Sequence, residues 1–217
     1  QNMERMGEKG QRMGLLEMFQ KGKKHYEGNI CQVVGIAGIR RGVGTTHLCV
    51  MAANYLSGYK RKKTAALEWN GHGDFERIER VCRGSSGEKE SFSVLEVLYY
   101  KNAGQKQLAD CLEAGIQYVI VDFGIYEESR RQDFALCGKR ILVGSFTEWQ
   151  EEEFLQILGR KDSWEKRWIY ASVFGSWQMK KEAGRKLRFP VLEISYNSDA
   201  FTVTSDILPF FRKVFGD

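Results

Sequence analysis

No stretch of the 217 residues approaches the roughly 20 consecutive apolar residues that a membrane-spanning helix needs, and no secretory signal is visible. Cysteine is scarce and scattered: Cys31, Cys49, Cys82, Cys111 and Cys137 are odd in number and form no C-x-x-C pair. The three histidines are far apart, so the ligand spacing of a structural zinc site is missing. Buried free thiols in a reducing cytoplasm are the expectation. The composition is not that of a disordered chain either, because hydrophobic residues reach 42% and aromatics 12%. That length and apolar content suit one domain with a sizeable core. A net charge of +5 permits an acidic partner, an anionic membrane surface or nucleic acid without choosing among them.

What is present is organised around residues 31–56. An apolar run holding Val33, Val34 and Ile36 ends in a glycine-punctuated turn, and an amphipathic segment follows at once. Leu48, Met51, Ala52, Tyr55 and Leu56 share one face at helical spacing. Strand, Gly-rich turn and helix is the context in which a phosphate-binding loop becomes credible. Further apolar runs alternate with helical segments along the chain: TAALEW, QYVIVDFG (117–124), KRILVGSF and WIYASVFGSW. This alternation predicts an α/β fold, a three-layer α/β/α sandwich on a mostly parallel sheet. A ligand belongs at the carboxyl ends of its strands, where residues 38–46, 68–74 and 122–126 converge.

Between these runs, SVLEVLYY and QKQLADCLEAG read as helical or mixed, the second stopped by Gly115. TEWQEEEFLQILGR reads as a helix with Thr147 as N-cap and acidic residues favouring its N-terminus. Residues 1–29 read as a basic, glycine-interrupted leader with a short amphipathic helix around Met13–Phe19, able to lie on a membrane, dock on a partner or pack on its own domain. The remainder, 30–217, reads as one domain. Two basic stretches, Lys60–Lys63 and Lys180–Arg188, are solvated surface or contact surface for an acidic partner or nucleic acid.

The loop at 39–47 resembles the deviant Walker A loop of the MinD/ParA family of P-loop ATPases, whose pattern reads GKGGxGK[ST]T. Gly42, Val43, Gly44 and Thr46 keep their identities, and Arg40 stands at the signature lysine. Ile39 and Arg41 replace glycines, and Thr45 replaces the lysine that reaches the β- and γ-phosphates. Two further segments resemble the family. Glu68 and Asn70 occupy the acidic positions of the D-x-D motif, and Asp122 closes an hhhhD strand of Walker B type. Ala171 and Ser172 stand near where the family carries an Asn that reads adenine.

The resemblance implies a cytoplasmic protein of P-loop fold that pairs as a homodimer across its nucleotide face. It also implies Arg40, Arg41, Gly42, Val43, Gly44, Thr45, Thr46, Asn70 and Asp122 as nucleotide-binding positions, with Thr46 and Asp122 on the metal. Because a neutral Thr45 cannot supply the charge on which phosphoryl transfer depends, no catalytic residue is assigned and a pseudo-ATPase is expected. The leading expectation is an adaptor or localisation factor with no cofactor and a protein partner. The phrase ILVGSFTEWQEEEFLQIL resembles the TadZ/CpaE branch, which implies Flp (Tad) pilus or secretion machinery, with the leader allowing peripheral contact at the inner face of the membrane. Two alternatives stay open: an ATP- and Mg2+-binding dimerisation switch with slow or no hydrolysis, and a DNA-associated partition-type protein.

Overall fold

The computed structural model describes residues 31–147, 152, 156, 168–187 and 189–217. Among these residues, eight strands form one sheet in the order β3-β4-β2-β5-β1-β6-β7-β8. They are β1 (Gln32–Gly38), β2 (Thr64–Glu68), β3 (Ser91–Val94), β4 (Val97–Tyr100), β5 (Tyr118–Ile125), β6 (Lys139–Gly144), β7 (Ile169–Ser172) and β8 (Val191–Glu193). Every pairing is parallel except β3 with β4. The central strands are continuous apolar runs because helices cover both faces of a parallel sheet. Six residues in succession are buried along β5, and six along β1. The predicted α/β class and mostly parallel sheet are thus observed.

Six α-helices are described: α1 (Thr45–Asn54), α2 (Asp74–Arg83), α3 (Gln105–Glu113), α4 (Arg131–Leu136), α5 (Trp177–Leu187) and α6 (Leu208–Phe215). Helix α1 packs on β5, β1 and β2 through a face that includes Leu48, Met51 and Ala52. It runs into a π-helical turn, Tyr55–Tyr59. There the Tyr55 ring stacks on Tyr59 at 5.2 Å and on Phe211 of α6 at 4.6 Å. The chain terminus is thereby fastened to the same core as the loop that precedes α1. Such ring pairs add to the burial of the rings themselves.

The segment SVLEVLYY differs from its helical or mixed reading. It forms most of the β3–β4 hairpin, with Ser93 paired to Leu98 and Val94 to Val97. Leu95 and Glu96 both take positive φ, 48° and 66°, the pattern of a type I′ turn without the Asn-Gly that usually announces one. The reason is tertiary: β4 completes a ladder beside β2, and Tyr99 is clamped between Phe92 (5.2 Å) and Phe75 (5.4 Å). The helix at 105–113 is present, and Gly115 follows it at φ 69°.

The thiols are free, and Cys49, Cys111 and Cys137 are buried, but Cys82 is exposed on α2, against the buried reading. Burial pushes the Cys111 and Cys137 thiols up to about 12, so neither is a thiolate near neutral pH. Lys180 is a second departure. It is 5% exposed and pairs with Glu193 of β8 at 3.1 Å, so it ties α5 to the sheet edge instead of belonging to a solvated surface. The leader 1–29 lies outside the described residues. Of the predicted helix after Thr147, only Glu152 and Gln156 are described as helical. Among the described residues no helix is long and apolar enough to cross a membrane.

Candidate functional site

At the end of β1 the Ile39 N–H still donates to the Val143 carbonyl of β6, 2.9 Å away, and the chain then turns through Arg40–Gly44 into α1. Gly38 has no space for a side chain. A Cβ there would collide with Thr45 Oγ1 and approach Val43 Cγ2 to 2.6 Å. The Thr45 hydroxyl therefore turns back against β1. Gly42 and Gly44 are the opposite case, with φ of 82° and 91° and nothing within 4 Å of where a Cβ would stand. Both hold the left-handed conformation that glycine tolerates, and both leave the backbone bare to an approaching group. Helix α1 has no side-chain cap and no acidic residue in its first turn. Its N–H groups and the positive end of its dipole are thus left to an anion.

The loop opens on a cleft of about 440 Å³. Arg40, Arg41, Gly42, Gly44, Thr45 and Thr46 line one side. His72, Asp74 and Arg77, at and before the start of α2, line another, and Gly124, Ile125 and Phe201 complete it. Val43 points away and is buried. Asp122 lies beneath the lining, fully buried. Its Oδ1 accepts from the Gly124 N–H at 2.9 Å, while Oδ2 is buried without a hydrogen-bond partner among the described residues. Burial pushes the Asp122 carboxyl up to about 6. The Thr46 hydroxyl and Gly124 N–H hold it back, and the charges of Glu68 and Asp74 add to the rise.

Thr46 and Asp122 fit a Mg2+ ion, since both offer hard oxygen ligands and one buried carboxylate oxygen is unclaimed. A bound Mg2+ would neutralise charge on phosphate oxygens. Position 45 does not fit the role of the lysine, being uncharged and turned toward Gly38.

The two residues at the D-x-D positions are committed elsewhere. Glu68 is 1% exposed, and its Oε1 accepts from the Asp74 N–H at 2.6 Å and the Phe75 N–H at 3.4 Å. Its Oε2 accepts from the Asn102 N–H at 3.4 Å. Glu68 is thus a built-in cap for α2. Asn70 Oδ1 accepts from the His72 N–H at 2.8 Å, and its Nδ2 donates to the Asp122 carbonyl at 3.2 Å. Its amide fixes the turn that carries His72 to the cleft and does not itself line it.

A second cavity, of about 280 Å³, shares Gly42, Gly44 and His47 with the first and continues past Met51 to Phe174 and Tyr196. Its border is mostly apolar and aromatic. Two of its polar side chains are engaged nearby: Ser195 Oγ donates to the Asp206 carbonyl (2.9 Å) and Asn197 Nδ2 to the Thr202 carbonyl (2.8 Å). Ser172, near the adenine-reading position of the resembled family, donates to the Phe174 carbonyl at 2.6 Å.

Sequence reasoning did not single out His47, His72, Arg77 or Phe201. The signal available for Arg77 was its place in the first turn of the helix that follows the second strand. Phe201 has no local signal, since a loop more than 150 residues downstream of the P-loop-like turn carries it to the cleft.

No family model and no curated protein matches the chain in sequence. Solved structures do match its fold. A plasmid partition protein of Borrelia burgdorferi B31 bound to AMPPNP is similar over 85% of this chain and 96% of its own, with TM-score 0.59 and 11% identity. MinD of Aquifex aeolicus, in a MinC:MinD cell division complex, covers 77% and 82%, with TM-score 0.55 and 14% identity. A ParA family ATPase from Chlorobium tepidum TLS covers 78% and 85%, with TM-score 0.54 and 13% identity. The chain has the α/β fold of the MinD/ParA P-loop ATPases.

Proposed function

We propose that this chain is a pseudo-ATPase: it holds the phosphates of a nucleotide at the β1–α1 loop without turning them over, and acts through protein contacts as an adaptor or localisation factor. One observation carries the reading. The backbone cradle is kept, with Gly42 and Gly44 open at positive φ before an uncapped helix, while the catalytic charge is replaced by a Thr45 hydroxyl facing Gly38. Backbone N–H groups at a helix N-terminus suffice to bind phosphate. Hydrolysis in P-loop enzymes further needs charge stabilisation on the transferring group. Thr46 and Asp122 are the proposed Mg2+ ligands, and the aromatic-lipped cavity beside His47 is where the base would rest.

The partner in this reading is a protein. The exposed face of α5 supports it, because Trp177 is 66% exposed and Lys181 lies 4.4 Å above its ring. Pairing into a homodimer and service to Flp/Tad pilus machinery belong to the same proposal, as does peripheral membrane contact through the leader. Calorimetric titration with Mg-ATP, run beside a phosphate-release assay, tests the core of it. Saturable binding with no release is expected, whereas release of phosphate over many turnovers would overturn it.

A DNA-associated, partition-type role is the second reading, favoured by the exposed run Arg61–Lys63. It requires retardation of DNA at low salt that collapses as salt rises.

A further inference from the structure

We infer that Arg77 supplies the phosphate-binding charge that the loop has lost at position 45, and that Asp74 holds it in reserve when no anion is bound. This rests on the nucleotide-binding reading and names how that site is completed. Arg77 and Asp74 line the same cleft as Arg40, Gly42 and Gly44, reaching it from α2 on the far side. Among the described residues, Asp74 is the only acidic one on that lining. A carboxylate there repels phosphate unless it has a counter-ion, and it has one: Arg77 Nη1 donates to Asp74 Oδ1 at 2.8 Å.

The pair is poised to exchange. The Arg77 side chain is 67% exposed and that of Asp74 30%, so the ion pair is solvent-screened and worth little. A phosphate seated over Gly42 and Gly44 carries more charge than a carboxylate. It also offers oxygens to both arms of a guanidinium, a fork geometry that lysine lacks. Arg77 therefore gains by leaving Asp74 for the ligand. The helix does not depend on the ion pair for its start, because Glu68 continues to accept from the Asp74 and Phe75 N–H groups whatever the Asp74 side chain does. Reserve and cap are separate devices on the same turn.

The test is a binding cycle on the full chain with Mg-ADP and, separately, inorganic tripolyphosphate, using wild type, Arg77→Ala, Asp74→Asn and the double variant. Arg77→Ala should weaken both ligands by about tenfold or more, as loss of a charge-assisted bidentate contact does. Asp74→Asn should tighten both by about threefold, and by clearly less in the Arg77→Ala background, where only the carboxylate's repulsion is removed and no guanidinium is freed. Unfolding midpoints of the four proteins separate a binding change from a folding change.

If wild type binds and Arg77→Ala binds equally well, Arg77 is not the replacement cation and the nucleotide reading stands. If Asp74→Asn tightens binding by the same factor with and without Arg77, Asp74 acts by repulsion alone and the reserve is refuted. If wild type binds neither ligand at millimolar concentration, the nucleotide-binding reading itself falls, and this inference with it.

Discussion

Helices α1 and α2 begin alike and are finished differently. Each follows a parallel strand, each starts after a glycine in the left-handed region, Gly44 at φ 91° and Gly73 at φ 72°, and neither glycine can cap with a side chain. At α2 the orphan N–H groups are satisfied from within, by the buried carboxylate of Glu68. Acidic residues Asp74 and Glu76 further complement that helix end. At α1 there is no internal carboxylate and no acidic residue in the first turn. One helix end carries its anion as part of the chain, and the other is left to receive one. Two glycine-started helix ends thus become one structural element and one candidate site, separated by where the chain places its carboxylates.

The contrast can be broken first at Glu68. Glu68→Ala leaves three N–H groups without their acceptor in a buried place, and should destabilise the fold by about 3 kcal/mol in urea unfolding. Glu68→Gln keeps an acceptor oxygen and should cost about 1 kcal/mol. Equal losses for the two variants would show that the carboxylate is not a cap.

Asp122 provides the next effect. Its folded-state carboxyl titrates at about 6, above its usual value of 3.8, so the native state binds the extra proton. Stability from this group is fully present below about pH 4 and is lost as pH rises through about 6, a swing of about 3 kcal/mol. Asp122→Asn should flatten that interval and raise stability at pH 7, measured as the difference in unfolding free energy between pH 4 and pH 7.5. An unchanged pH profile in the variant would remove the burial argument.

Thr45→Lys sharpens the comparison from the other side. Restoring a cation at α1 should tighten Mg-ATP by about tenfold through a charge-assisted contact, read by calorimetry. No gain would mean that the lysine cannot turn from β1 toward the cleft.

The smallest effect is expected from Gly44→Ala. Forcing an L-residue into the left-handed region should cost about 1 kcal/mol of stability, with no clash because the site is open. The same methyl group, standing in the cradle, should weaken nucleotide binding more than it weakens the fold. Proportional losses would identify Gly44 as a structural turn only.

Much of the frame was legible because its signals are local. The run 117–124 reads as a buried parallel strand from its own residues, and the glycines at 42 and 44 mark a loop between a strand and a helix. The β3–β4 hairpin was not legible. Its alternation is short, Leu95 and Glu96 carry no turn signal, and β2 and the rings around Tyr99 decide the matter. Lys180 misled for a related reason. A lysine within a basic run looks solvated until β8 brings Glu193 to within 3.1 Å.

The candidate site divides in the same way. The sequence by itself determined the loop: which positions can take positive φ, and which position has lost its charge. Those are properties of single residues and of spacing along one crossover. Tertiary structure alone decided that Glu68 serves α2 instead of the cleft. It also decided that Asn70 is spent on its own turn, and that Arg77, Asp74 and Phe201 arrive on the lining. The physical reason is that a parallel sheet gathers the carboxyl ends of distant strands at one edge, so what faces a ligand depends on strand order and burial. Neither is written in the neighbourhood of any one of those residues.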